Sequence, residues 1–128
     1  MPGVLVLQTT AFKNYEIAQA EMHELDEQLK HRLEILQNLP FIIIADDADF
    51  VSEKLKNFLW VAFTRCNPSH DIYGIQPFTK NKHWGCLGPL VLDARIKPHH
   101  APVLEKDPAI EKSVDKLFEK GGSLHGIG

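Results

Sequence analysis

The run Phe41-Ile42-Ile43-Ile44-Ala45 passes directly into Asp46, Asp47 and Asp49. So short a β-branched run reads as a strand buried on both faces, and strands of that kind belong to mainly parallel sheets covered by helices. Val4-Leu5-Val6-Leu7 has the same character. Between the two runs the period changes. Ala18, Met22, Leu25, Leu29, Leu33 and Leu36 recur at steps of three or four, which predicts one long amphipathic helix starting at Tyr15 behind an Asn14 cap. Pro40 closes that region, because the residue before a proline avoids the helical conformation.

Beyond the acidic turn, Leu55, Phe58, Leu59 and Phe63 predict a second helix from about Glu53 to Arg65, capped by Ser52 or Asp49 and broken by Asn67-Pro68. Trp60 is expected as a core anchor of this helix. Arg65, in its last turn, is expected to pair with one of the three aspartates. Ile72 to Ile75 and Leu90 to Leu92 predict two more strands, the latter ending at Asp93, with Phe78 to Gly88 as a loop between them. Pro98 to Pro102 reads as extended, and Asp107-Pro108 opens a last helix with the stripe Ile110, Val114, Leu117 and Phe118. Strands and helices in this order predict an α/β fold, a mainly parallel sheet of about four strands flanked by about three helices. Residues 1–122 are expected to form one domain and 123–128 a flexible tail.

The chain has 128 residues, 44% hydrophobic, with a formal net charge of −3. It has no basic stripe to meet nucleic acid and no apolar run long enough to cross a bilayer. It also lacks a secretory pattern, so a cytoplasmic setting with Cys66 and Cys86 as free thiols is expected. Met1-Pro2-Gly3 running straight into a strand is expected to mark a domain cut from a longer chain.

Several clusters invite a chemical reading. Asp46, Asp47 and Asp49 follow the carboxyl end of a strand, where α/β sheets place functional groups; helix capping and an Arg65 ion pair account for them more simply. His83, Cys86, His99 and His100 lack the paired spacing of a zinc site, so no metal site is assigned. Ser69-His70-Asp71 reads as a turn, since a catalytic triad is assembled in space. Trp84 divides evenly between packing on the sheet edge and contacting a partner.

Two stretches resemble a known family. The strand, the D-D-A-D turn and the segment F-L-W-V-A-F-T-R-C-N-P-S-H-D match at Asp46, Asp47, Asp49, Trp60, Thr64, Arg65, Asn67, Pro68 and Asp71. L-V-L-D-A-R-I-K-P-H-H-A-P and the following D-P helix match between Leu90 and Lys116. This pattern resembles the C-terminal domain of UbiD-type decarboxylases, and H-W-G-C before it with K-P-H-H-A-P after it is most similar to the menaquinone-biosynthesis branch. The resemblance implies a Rossmann-like module that self-associates and closes one side of a flavin pocket. It implies a parent enzyme that decarboxylates an aromatic or unsaturated acid in quinone biosynthesis, using prenylated FMN with Mn²⁺ and K⁺. The catalytic set lies in another domain, so no cofactor is expected on this chain alone and its partners are copies of itself and the flavin domain. Where the family carries a phosphate-side lysine this chain has Pro89, and Arg95 replaces the threonine of L-D-A-T; Arg95 or Lys97 takes over the cofactor contact. The rival readings are a free-standing metal-dependent enzyme and a small-ligand-binding regulatory domain.

Overall fold

A computed structural model describes residues 2–100 and 107–126. Strands β1 (Val4–Gln8), β2 (Phe41–Ala45), β3 (Ile72–Gly74) and β6 (Leu90–Asp93) form one sheet in the order β1-β2-β6-β3. β1, β2 and β6 are parallel, and β3 runs antiparallel to β6. The helices are α1 (Tyr15–Leu29), α2 (Ala48–Glu53), α3 (Leu55–Arg65) and α4 (Pro108–Phe118). The chain is thus a mixed α/β structure around a four-stranded, mostly parallel sheet.

The alternation of β2 builds two cores, because successive side chains leave a strand on opposite faces. Ile42 and Ile44 pack with Met22 of α1, Ile75 and Val91. Ile43 and Ala45 pack with Val51 of α2, Val61 of α3 and Ala94. Each face of the sheet therefore has its own helical cover.

Four elements depart from the sequence expectation. α1 stops at Leu29, and residues 30–39 continue as tighter turns in which Arg32, Ile35, Leu36 and Leu39 each bond to the carbonyl three residues back. Those turns still bring Leu33 and Leu39 against the core, so the apolar stripe is satisfied without a continuous helix. The helix after the acidic turn is split at Lys54, which is extended (φ −143°, ψ 145°). Asn57 ties the break together, its amide donating to the Phe50 carbonyl at 2.8 Å.

The region read as a loop is a hairpin of β4 (Pro77–Lys80) and β5 (His83–Cys86). Asn81 and Lys82 both have positive φ (53° and 67°), the conformation that a two-residue turn needs to match the strand twist. Pro98 to His100, expected to be extended, closes a turn in which His100 N donates to the Lys97 carbonyl at 2.9 Å; residues 101 and 102 lie outside the described residues.

α4 forms as expected, with Asp107 capping the Ala109 amide, yet it buries none of its residues. Of the expected tail, residues 123–126 form a turn in which Leu124 N bonds back to the Leu117 carbonyl, and residues 127 and 128 lie outside the described residues. No helix among the described residues is long and apolar enough to cross a membrane.

Candidate functional site

The carboxyl end of β6 delivers Asp93 to the edge of the sheet core. Arg95 and Lys97 follow it at steps of two, and Asp71 stands across from it just before β3. All four side chains are essentially sealed from solvent, at 0% exposure for the aspartates and 1% for the two cations. A buried charge is tolerated only when paired and hydrogen-bonded, and these four charges sum to zero.

Arg95 donates Nε to Asp93 Oδ1 at 2.9 Å and Nη2 to Asp93 Oδ2 at 2.7 Å, a two-pronged pair. Its Nη1 reaches Glu21 of α1 at 2.7 Å and the Thr10 carbonyl at 3.1 Å. Lys97 Nζ donates to the carbonyls of Asp93 (2.8 Å), Arg65 (3.3 Å) and Arg95 (3.3 Å) and lies 3.2 Å from Asp71 Oδ2. Asp71 Oδ2 also accepts the Asn67 amide at 2.7 Å, which binds the end of the α3 segment to β3. Phe12 roofs the cluster, its ring 5.3 Å from Lys97 Nζ and 5.7 Å from the Arg95 guanidinium carbon.

Burial pulls the Arg95 pKa down, but the hydrogen bonds and charges of Asp93 and Glu21 outweigh it and hold it above the ordinary value. Burial, reinforced by the nearby Asp93 and Asp71, pushes the Tyr73 phenol up to about 12. Burial, with Asp71 next, pushes the Cys66 thiol up to about 11. Two atoms inside the cluster's surroundings, Asp71 Oδ1 and Tyr73 Oη, are buried without a hydrogen-bond partner.

The acidic turn disperses into separate tasks. Asp46 accepts the Ile96 amide at 2.7 Å and pairs with Arg65 at 3.5 Å, the ion pair expected from the sequence. Asp47 caps α2 through the Phe50 amide at 2.9 Å, in place of the expected Ser52 or Asp49. Asp49 is exposed in the first turn of α2.

Trp60 is not a core anchor: it is 46% exposed, lies edge-on to Phe50 and carries the Arg65 guanidinium 5.1 Å above its ring. The helix phase explains the correction, since Val61 and Ala62 face the sheet and turn Trp60 to the flank. Trp84 sits in β5, half-exposed, with its ring edge over Gly74. His83 is exposed in the hairpin, while His99 and His100 stack edge to face at 4.7 Å. Among the described residues no group of three or more His, Cys, Asp or Glu is arranged to hold a metal.

A second feature is apolar. A cavity of about 510 Å³ opens beside α3, lined by Val4, Phe41, Leu59, Phe63, Ile72 and Leu92 among others. Phe63, at the last full turn of α3, is 82% exposed.

The motifs that hold Asp46, Arg65 and Asp93 in this geometry also occur in known proteins. The chain is similar to part of a decarboxylase. A 4-hydroxybenzoate decarboxylase component from Chlamydia pneumoniae is 32% identical to it over 83 residues, 65% of this chain and 14% of that protein. An uncharacterized protein of Chlamydia muridarum is 28% identical over 85 residues, covering 66% of this chain and 15% of the other. One of Chlamydia caviae is 26% identical over 119 residues, 93% of this chain and 18% of the other. The chain thus spans less than a fifth of the length of these relatives. No family profile and no solved structure matches it. The match to a decarboxylase component supports a UbiD-related origin, in line with the motifs around Asp46, Arg65 and Asp93.

The resemblance brings prenylated FMN and directs Arg95 and Lys97 toward it. The two side chains do not fit that task as they stand. Arg95 gives its donors to Asp93, Glu21 and Thr10, and all the polar contacts of Lys97 Nζ are internal. With both cations inside the protein, neither turns a charge outward to a phosphate.

Sequence reasoning missed Glu21, Thr10 and Phe12 as members of the cluster. The D-x-R-x-K spacing after a strand carried the available signal, because alternate residues on an extended chain share a side.

Proposed function

We propose that this chain is the assembly part of a UbiD-related carboxy-lyase and carries no catalytic centre of its own. In this reading it packs against copies of itself and against a flavin-binding domain of the longer protein. That domain holds prenylated FMN with Mn²⁺ and K⁺ and decarboxylates an aromatic or unsaturated acid. A quinone-biosynthesis role of the menaquinone type, in the cytoplasm, completes the proposal, and residues 1–122 serve as one Rossmann-like domain.

The observation that carries it is the uncovered apolar surface beside α3, where Leu59, Phe63 and Phe41 stand exposed around a cavity almost without polar groups. Contiguous apolar surface of this kind marks an interaction site. The buried charged cluster supports the same reading from the other side. Its ion pairs satisfy one another and fasten α1, α3, β3 and β6 together, as a structural lock does, whereas a catalytic site presents groups to a substrate.

The test is a titration of the chain with prenylated FMN, Mn²⁺ and K⁺, followed by absorbance, beside sedimentation of the chain over a wide concentration range. The expected result is no stoichiometric flavin binding, no CO₂ release from 4-hydroxybenzoate, and association that rises with concentration. Tight one-to-one flavin binding would place the cofactor on this chain and sink the proposal.

A further inference from the structure

Two apolar surfaces of the chain lack a partner, and they match each other. The first is α4. Ile110, Val114, Leu117 and Phe118 fall at i, i+4, i+7 and i+8, one narrow stripe on one side of the helix. Their exposures run from 41% to 62%, and Lys112, Asp115 and Lys116 provide polar flanks. A helix of 11 residues is marginal in water when isolated, so a stripe of this kind is stabilised by a surface it can cover.

The second surface is the groove beside α3. Val4 of β1, Phe41 of β2, Leu92 of β6 and Ile72 of β3 contribute one lining residue from every strand of the sheet, and Leu59 and Phe63 of α3 form a wall. Four strands spaced about 4.8 Å apart set its ends roughly 14 Å from each other. The stripe from Ile110 to Phe118 is about 12 Å long at about 1.5 Å per residue. Length and chemistry therefore agree.

The chain's own α4 does not fill its own groove, since all of α4 and Phe63 are exposed. We propose that α4 of one copy lies in the α3-side groove of a second copy, and that the second copy returns the same contact. Such an exchange is two-fold symmetric and self-complementary. It uses both uncovered surfaces of both copies and closes as a dimer without leaving a free end. The exchange rests on the self-assembly reading above and names the surfaces that carry it.

The test uses the whole chain, sedimented across a hundredfold concentration range as wild type, Phe63→Glu and Val114→Glu. Both positions are exposed, and far-UV circular dichroism checks that each variant folds. The expected result is a wild-type dimer, with each variant associating at least about tenfold more weakly, because a charge would enter the desolvated centre of the contact. An equimolar mixture of the two variants should recover part of the association. The intact α4 of the Phe63→Glu copy still has the intact groove of the Val114→Glu copy.

Wild-type association that neither variant weakens overturns the exchange and leaves self-assembly through another surface standing. A chain that stays monomeric at every concentration overturns both. A monomer whose melting temperature falls in both variants shows α4 docking on its own chain, and also overturns the exchange.

Discussion

Lys97 joins two aspartates that arrive from different strands: its Nζ lies 3.2 Å from Asp71 Oδ2 and 3.8 Å from Asp93 Oδ1. Removing it leaves carboxylates that are sealed from water beside fewer cations. Lys97→Met is expected to destabilise the fold by about 3–5 kcal/mol in urea denaturation. Lys97→Met combined with Asp71→Asn should cost less than the two single changes added together, since each single change strands the other's charge. Strict additivity would show that the pair is not coupled.

Alkaline pH should unfold the chain through two neutral groups that the fold keeps protonated. The Cys66 thiol is raised from 9.0 to about 11, and the Tyr73 phenol from 10.0 to about 12. A folded pKa above the unfolded one gives stability that is complete below the unfolded value and lost as pH rises through the folded value. Stability should therefore decline from about pH 9 upward and fall further toward about pH 12. Tyr73→Phe and Cys66→Ser should flatten that decline, as read by melting temperature against pH.

The same shift predicts a sluggish thiol. At about pH 8 the thiolate population of Cys66 is about 100-fold below that of a thiol at the ordinary value of 9.0, and the thiolate is the reactive form. Iodoacetamide should label it correspondingly slowly in the folded chain and at an ordinary rate in urea, with peptide mass spectrometry as the readout.

Trp60, on the flank of α3, should be cheap to remove. Trp60→Ala is expected to cost about 1 kcal/mol, against about 3–5 kcal/mol for a large aromatic in a core. Ile43→Ala, at a position with 0% exposure, should cost about 2–5 kcal/mol by the same scale. Equal losses in the two variants would contradict the orientation of α3.

Gly74 makes room for the hairpin. A Cβ there would meet Cys86 Cβ at 2.4 Å and Sγ at 2.8 Å, closer than real contacts allow. Gly74→Ala should destabilise by about 1–3 kcal/mol through overpacking. It should also shift Trp84 emission, because the indole edge lies 3.3 Å from the same point.

Much of the architecture was legible in local pattern. The strands β1, β2, β3 and β6, the Asn14 and Asp107 caps, the Arg65–Asp46 pair and the α4 stripe follow from periodicity and from short polar residues at helix starts. These are settled within a few residues of chain, which is the range over which propensity and capping act. The decarboxylase likeness was legible too, since it resides in motif order.

Tertiary structure decided the rest. Whether Trp60 or Val61 faces the sheet depends on how α3 is rotated against it, and the break at Lys54 sets that rotation. Arg95 and Lys97 look like free cations in the sequence, and become internal only because Asp71, Asp93 and Glu21 converge on them from distant segments. Local pattern specifies which surface of an element is apolar. The competition of all elements for burial specifies which of those surfaces are covered, and it is that competition which leaves the α3 groove and the α4 stripe uncovered.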